Sequence, residues 1–404
     1  MGSPLTGGPG TEAPRARLTL AEVLSAALSG DGATHRLPAH HWKVLNAILA
    51  CRTPRLGAHV YRCLDCGREH FVPHSCRNRH CPQCQKALAD EWLAAQMKRL
   101  LPIPYFHVVL TLPHALNPLI ERHQRRLYNL LFGAASQTLL AFGEERFHGQ
   151  IGLSCVLHTW SQTLGGHYHL HCIVTGGGLS RDGQHWCAAK ANYLFKVTNL
   201  SRVFRGKFLA GLERLWQKGV LEPSDALPAN PPDFQTLLTQ ARRQAWVVYV
   251  KRPFAGPEQV LRYLAHYTHR VAISQGRLLW LDRSAGQLAF AYKDYADGSR
   301  PKTLRLALSE FTRRFRLHIL PERFVKIRHY GLLANRDRDA HLALARARLA
   351  CAAPTPPRDE PPEPAAGTTE GPAKEPWRKC PHCGGTRLEW VRIEPRTPAL
   401  LDSS

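Results

Sequence analysis

The chain has 404 residues, 44% hydrophobic and 21% charged, which is long enough for two or three packed domains and too apolar for wholesale disorder. Fifty-four Lys and Arg against 31 Asp and Glu leave a formal charge of +23, an excess that repels itself unless a polyanion neutralises it, so nucleic acid is the first partner to test. Twelve cysteines among 22 histidines come mainly as tight pairs, which fits metal ligation in a reducing compartment rather than disulfides. No apolar run suits a membrane span or a secretory signal, so a cytoplasmic protein without membrane association is expected.

Residues 1–17 read as a disordered tail. Thr19 and Glu22 then form a capping-box signature ahead of a short helix, and a second helix begins near Pro38 and closes at Cys51. From Cys51 to Cys84 periodic apolar positions are few, so something other than a hydrophobic core must hold the chain. A helix from about Gln85 to Leu101 completes a helical and metal-binding module over 18–101, and Pro102 and Pro104 stop it.

The next segment, 102–345, has a readable order: a strand over Tyr105–Leu112, a helix over Pro118–Phe142, and strands over Ile151–Trp160 and Tyr168–Thr175 joined by Gly165-Gly166. A helix near Asn199–Lys218 and a strand over Trp246–Val250 follow. The order β-α-β-β-α-β predicts an α+β fold with a ferredoxin-like, split-βαβ arrangement. Beyond it come a helix from Gly256-Pro257 to about Val271, a hairpin of Gly276–Asp282 with Gln287–Tyr292, and a basic helix over about Leu304–His318. Residues 353–376 read as a Pro-rich linker, and 377–404 as a C-terminal tail with a cysteine pair.

Three constellations could carry chemistry. Cys63-Leu-Asp-Cys66 and Cys81-Pro-Gln-Cys84 offer four thiolates to one tetrahedral Zn²⁺ with no open position, a structural site. Cys51, Cys76 and His80 leave a second ion or another choice of four open, and Cys380 with Cys383 make half a site that Cys51, Cys76 or His80 could complete. His167-Tyr-His169-Leu-His171 falls in a predicted strand, where alternation puts the histidines on one face and Tyr168 and Leu170 on the other, a half-site for a divalent cation. Tyr263-Leu-Ala-His-Tyr267 sets two phenols one helical turn apart on one face. Basic residues cluster at Arg202, Arg205 and Lys207, at Arg313, Arg314 and Arg316, and at Lys326, Arg328 and His329. Phe311, Phe315, Phe324 and Tyr330 are interleaved with them, a mixture suited to a nucleic-acid strand whose phosphates are neutralised and whose bases stack.

Taken together, four motifs resemble bacterial rolling-circle insertion-sequence transposases, the two-tyrosine HUH class of the insertion-sequence ninety-one family. They are Ser75-Cys-Arg-Asn-Arg-His-Cys-Pro-Gln-Cys84, then His158-Thr-Trp-Ser-Gln162 leading to His169-Leu-His171, then Tyr263-Leu-Ala-His-Tyr-Thr-His-Arg270 running on to Ser274, and Arg328-His-Tyr-Gly331 with Asn335-Arg336. They occur in order from about Trp42 to Arg338. The resemblance implies a metal-dependent single-strand DNA endonuclease and strand transferase in the bacterial cytoplasm, built on an HUH catalytic domain, acting on single-stranded element ends and target. His169 and His171 would ligate Mg²⁺ or Mn²⁺, with His158, Gln162 or His167 as third ligand. Tyr263 and Tyr267 would attack in turn to give 5′-phosphotyrosine, with no nucleotide cofactor. Arg270 and the basic clusters would contact DNA. The alternative reading is a non-catalytic, zinc-dependent DNA-binding regulator with core tyrosines.

Overall fold

A computed structural model describes residues 18–29, 37–190, 192–221, 231–251, 259, 270–352 and 379–396. The tail at 1–17, the linker at 353–376, and Tyr263 and Tyr267 with most of the helix expected to carry them lie outside the described residues.

The molecule is organised around an antiparallel sheet built from β3 (Tyr105–Thr111), β4 (Gly149–Trp160), β5 (Gly166–Ser180), β6 (Trp186–Ala188), β7 (Val248–Lys251) and β11 (Ile327–Gly331). Its order is β11-β4-β5-β3-β7, with β6 pairing to the far end of β5. The first and third strands of the β-α-β-β-α-β run are therefore neighbours at the centre, and the second and fourth flank them. Strand β5 runs past Thr175, where the sequence suggests it stops, because glycines let three backbones close in on it. A Cβ at Gly176 would lie 2.6 Å from the Pro104 carbonyl oxygen, and one at Gly177, at φ +146°, would lie 2.5 Å from that of Cys187.

One sheet face is covered by α5 (Gln124–Phe147) and α6 (Val197–Gln217). Leu127, Leu131, Phe132, Leu139, Phe204 and Phe208 pack there on Val108, Leu153, Tyr168, Leu170 and Cys172 in one apolar core. The single helix expected over Pro118–Phe142 is two. A short α4 (Asn117–Arg122) begins with proline in its first turn, and His123, at φ −117° and ψ 39°, breaks it from α5. Helix α7 (Pro231–Arg243), which the sequence reading does not anticipate, adds Phe234 and Leu238 to the same core.

A second core joins the chain's early and late parts. Helix α1 (Leu20–Ser29) carries the expected capping box: Thr19 N–H donates to Glu22 Oε2 at 2.7 Å, and Glu22 N–H to Thr19 Oγ1 at 3.2 Å. Together with α2 (Ala39–Ala50) it packs on a sheet of β8 (Leu278–Asp282), β9 (Gln287–Asp294) and β10 (Arg300–Ala307), and on α8 (Leu308–Leu317). The basic helix expected over Leu304–His318 thus opens as a strand and turns helical only at Leu308. Phe311, Phe315 and Phe324, read from sequence as base-stacking aromatics, are all buried. Phe311 and Phe315 stand one turn apart on the apolar face of α8, and Phe311 meets Phe290 edge-on.

The third sheet pairs β1 (Ala58–Cys63) with β2 (Glu69–Pro73) on one side and with β12 (Leu388–Glu394) on the other. The C-terminal segment, set apart as a tail in the sequence, is a strand of the N-terminal module. Helix α3 (Gln85–Met97) follows that module, and α9 (Arg338–Ala352) packs Leu342 and Ala345 over Val156 and Ile173 on the sheet face away from α5. Among the described residues no helix is long and apolar enough to cross a membrane.

Candidate metal centre and thiol clusters

Register builds the histidine site. His158 of β4 pairs directly with His169 of β5, which sets both side chains on one face, and His171 follows two residues along on that face. Tyr168 and Leu170 point into the helix-covered core, as the alternation predicts. The ligating atoms of His158, His169 and His171 all lie within 4.8 Å of one another, and all three residues are buried.

Proton positions follow from the partners. His169 Nδ1 sits 3.0 Å from the His167 carbonyl oxygen, which can only accept, so the proton is on Nδ1 and a lone pair is on Nε2. That Nε2 is 3.1 Å from Nε2 of His171, whose Nδ1 contacts His107 Nε2 at 2.8 Å. His107, on β3, stacks on His171 with ring centroids 5.0 Å apart and holds its orientation. Burial pushes His169 down to about 3 and His107 to about 4, and it lowers His171 as well, so these imidazoles are neutral near pH 7 and offer lone pairs. Arg270 adds to the lowering at His169 and His171, as Lys251 does at His107. Among the described residues no carboxylate joins the three imidazoles.

Of the third-ligand candidates, only His158 is brought to the pair. Gln162 points to the β8–β10 sheet, donating to the Tyr295 hydroxyl at 3.4 Å and accepting from Lys293 N–H at 3.5 Å. His167 turns to His114, with Nδ1 3.1 Å from His114 Nε2. Sequence reasoning passes over His107, although a histidine interrupting the apolar run of β3 was a visible signal.

The twelve cysteines correct the expected zinc pairing. Cys63 and Cys66 do not join Cys81 and Cys84. Eight of the thiols form two sets, Cys51, Cys76, Cys81 and Cys84 in one and Cys63, Cys66, Cys380 and Cys383 in the other. In the first, Cys84 Sγ lies 3.5 Å from Cys51 Sγ and 3.6 Å from Cys76 Sγ. In the second, Cys63 is 3.6 Å from Cys383 and Cys66 is 3.6 Å from Cys380. Four sulfurs about 2.3 Å from a zinc ion sit about 3.8 Å apart, so both sets have nearly the spacing a tetrahedral ion requires. Cys51 closes α2 and Cys84 opens α3, so the first set ties two helices at the edge of the second core, where Leu45, Ile48 and Leu88 pack in the same cluster. Hydrogen bonds from Cys51, Cys76 and Cys81 hold the Cys84 thiol low, and the same contacts push the Cys76 and Cys81 thiols up. His80 belongs to neither set.

The expected DNA contacts separate. Arg270 is exposed beside the histidines. Lys326 lines a small cavity with Arg79, His80, Trp160, Arg270 and His318. Arg313 and Arg314 both bind Glu310, at 2.6 and 2.7 Å, and Arg316 lines a groove with Arg122, Arg125 and Arg126. Arg328 lies over the Phe132 ring, 4.2 Å from its centroid, and bonds Asn129, so it secures β11 to α5; His329 bonds Ser154 at 2.8 Å. Arg202 and Arg205 line a groove over α6 with Arg146, Lys196 and Arg242, on the opposite side of the sheet from the histidines.

Two family models match the chain, one described as "Putative transposase" over residues 152–340 and one as "Transposase zinc-binding domain" over residues 23–112. The chain is 43% identical to the "Putative transposase y4qJ" of Sinorhizobium fredii, over 87% of this chain and 89% of that one. It is 30% identical to the "Transposase for insertion sequence element IS801" of Pseudomonas savastanoi pv. phaseolicola, over 78% and 75%. A solved structure, "Conjugative Relaxase Trwc In Complex With Orit DNA. Metal-Bound Structure", aligns at 13% identity and a TM-score of 0.25, over 63% of this chain and 96% of that one. With both family models in sequence order and identity sustained along most of its length, the chain belongs to the IS91 family of transposases.

Proposed function

We propose that this transposase nicks and rejoins single-stranded DNA at element ends in rolling-circle-type transposition, with Tyr263 and Tyr267 as nucleophiles and a divalent cation held by His158, His169 and His171. The observation that carries the reading is the convergence of three buried imidazoles on one face of a rigid sheet. The flanks of the tyrosine segment support it. Lys251, at the end of β7, lowers His107 by its charge, and Arg270, three residues past Tyr267, does the same to His169 and His171. Strand order, with β3 and β5 central and β7 and β4 outside them, supports a ferredoxin-like HUH scaffold within 102–345.

Three neutral nitrogen donors fit a divalent ion, and of Mg²⁺ and Mn²⁺ they favour Mn²⁺, because Mg²⁺ demands oxygen ligands. When bound, the cation stabilises charge building on the scissile phosphodiester. A tyrosine oxygen attacks phosphorus as its phenolic proton leaves. The bond from phosphorus to the 3′-oxygen breaks, that oxygen takes up a proton as a free 3′-OH, and the 5′-phosphate stays on the tyrosine. Rejoining reverses the step, so no nucleotide cofactor is needed. His107 and the His167 carbonyl fix the two β5 imidazoles, Arg270 neutralises phosphates beside them, and Cys51, Cys76, Cys81 and Cys84 hold a structural zinc within the zinc-binding domain.

Single-stranded oligonucleotides from the element's ends, incubated with the full chain and Mn²⁺, should yield a denaturant-resistant protein–DNA adduct that carries the fragment 3′ of the cut, joined through its 5′-phosphate, and should release the other fragment with a free 3′-OH. Tyr263→Phe with Tyr267→Phe should abolish the adduct. No adduct sinks the proposal and leaves the non-catalytic regulator; an equal adduct from the double variant removes Tyr263 and Tyr267 as the nucleophiles and sinks it as well.

A further inference from the structure

We infer that Cys63, Cys66, Cys380 and Cys383 form a second zinc site that staples the C-terminal segment onto the N-terminal module. Half of its ligands lie far outside the matched zinc-binding domain, which ends at residue 112. The two cysteine pairs are built alike. Each is a Cys-x-x-Cys-Gly turn: Gly67 N–H donates to the Cys63 carbonyl at 2.8 Å, and Gly384 N–H to the Cys380 carbonyl at 2.9 Å. Both glycines have positive φ, 69° and 75°, which lets each turn offer two sulfurs to one side. Cys81-Pro-Gln-Cys84 has no such glycine and runs straight into α3, so its thiols face the helical side of the module.

The backbone around the turns agrees. Strand β12 pairs with β1 in antiparallel register from Cys63↔Leu388 to Ala58↔Glu394. Leu64 N–H donates to the Arg387 carbonyl at 2.9 Å, and Arg392 reaches Glu69 of β2 at 3.0 Å. The Asp65 side chain of the first turn lies against Gly385 just past the second, where an added Cβ would stand 2.1 Å from its Oδ2, so the two turns are packed together. A lone two-stranded ribbon of β1 and β2 is marginal in water, and the third strand with an ion beneath it supplies what the ribbon lacks. Because half the ligands come more than 310 residues later, the site forms only after Cys380 and Cys383 have been made.

Zinc content of the purified full chain tests this, together with cysteine alkylation mapped by peptide mass spectrometry. The Cys380→Ser, Cys383→Ser variant should bind one zinc fewer than the unaltered chain, and adding Cys63→Ser should remove no more. In the unaltered chain, stepwise zinc removal by a chelator should expose Cys63, Cys66, Cys380 and Cys383 to alkylation together, in a step separate from Cys51, Cys76, Cys81 and Cys84. The second measurement needs no variant to fold. Unchanged zinc in the double variant, or Cys63 and Cys66 labelled in step with Cys81 and Cys84, overturns the inference.

Discussion

The two faces of β5 use the same backbone for opposite ends. Tyr168, Leu170 and Cys172 sink into the core under α5 and α6, while His169 and His171, one residue out of step, share an equally buried setting with His158. One face contributes apolar area removed from water, and the other spends burial on keeping imidazoles neutral and aimed at one point. Strand alternation is what allows a rigid core and a polar site to lie a few ångströms apart without either intruding on the other.

The sharpest way to break this division is a pair of substitutions one residue apart. His169→Ala should leave a folded chain whose adduct formation falls by about three orders of magnitude, the several kcal/mol a catalytic cation contributes. Leu170→Ala should do the reverse, lowering unfolding free energy by about 2–5 kcal/mol while the protein that stays folded forms adduct at the ordinary rate. Denaturant titration with an adduct assay on each variant reads both. If His169→Ala unfolds the protein as severely as Leu170→Ala, the histidine face is core and the division fails.

A smaller effect is expected behind the site. His107 touches no phosphate in the proposed mechanism, yet its Nε2 lies 2.8 Å from His171 Nδ1. His107→Ala should weaken Mn²⁺ binding about 10- to 100-fold, the usual cost of losing a partner that orients a ligand. Saturating Mn²⁺ should restore most of the adduct, and calorimetric titration would measure the affinity. Unchanged Mn²⁺ affinity would make His107 a core residue only.

Strand alternation explains why this much of the site was legible in sequence. The histidine face of β5 and the strands on either side follow from periodicity, and His158 entered as one of three candidates that register then separates from Gln162 and His167. Long-range pairings were not legible. No local pattern shows that β12 completes the sheet of β1 and β2, nor that Cys380 and Cys383 belong with Cys63 and Cys66, although the shared Cys-x-x-Cys-Gly turn was a clue. The aromatics of α8 misled for a related reason: basic and aromatic residues interleaved along a helix look like a nucleic-acid surface until the 3.6-residue period sends Phe311 and Phe315 inward and the arginines outward.

Protons should separate the fold from the site at the seam between the two large cores. His318 is buried there, its Nε2 2.9 Å from the Leu164 carbonyl and its Nδ1 3.1 Å from the Thr159 hydroxyl, and burial pushes it down to about 4. An unfolded histidine titrates near 6.5, so between about pH 6.5 and 4 the unfolded chain binds the extra proton. Stability from this group is complete above that window and declines as pH falls through it, by at most about 1.4 kcal/mol per pH unit. His318→Gln keeps a donor for the Leu164 carbonyl but cannot take up a proton. Its unfolding free energy should fall less steeply between pH 6 and 4.5, by about one proton, while the pH dependence of adduct formation stays that of the unaltered chain. Denaturant titrations at closely spaced pH values measure the slope. An unchanged slope would mean that His318 is not the seam's acid-sensitive group, and a shifted adduct profile would mean that seam and metal site titrate as one.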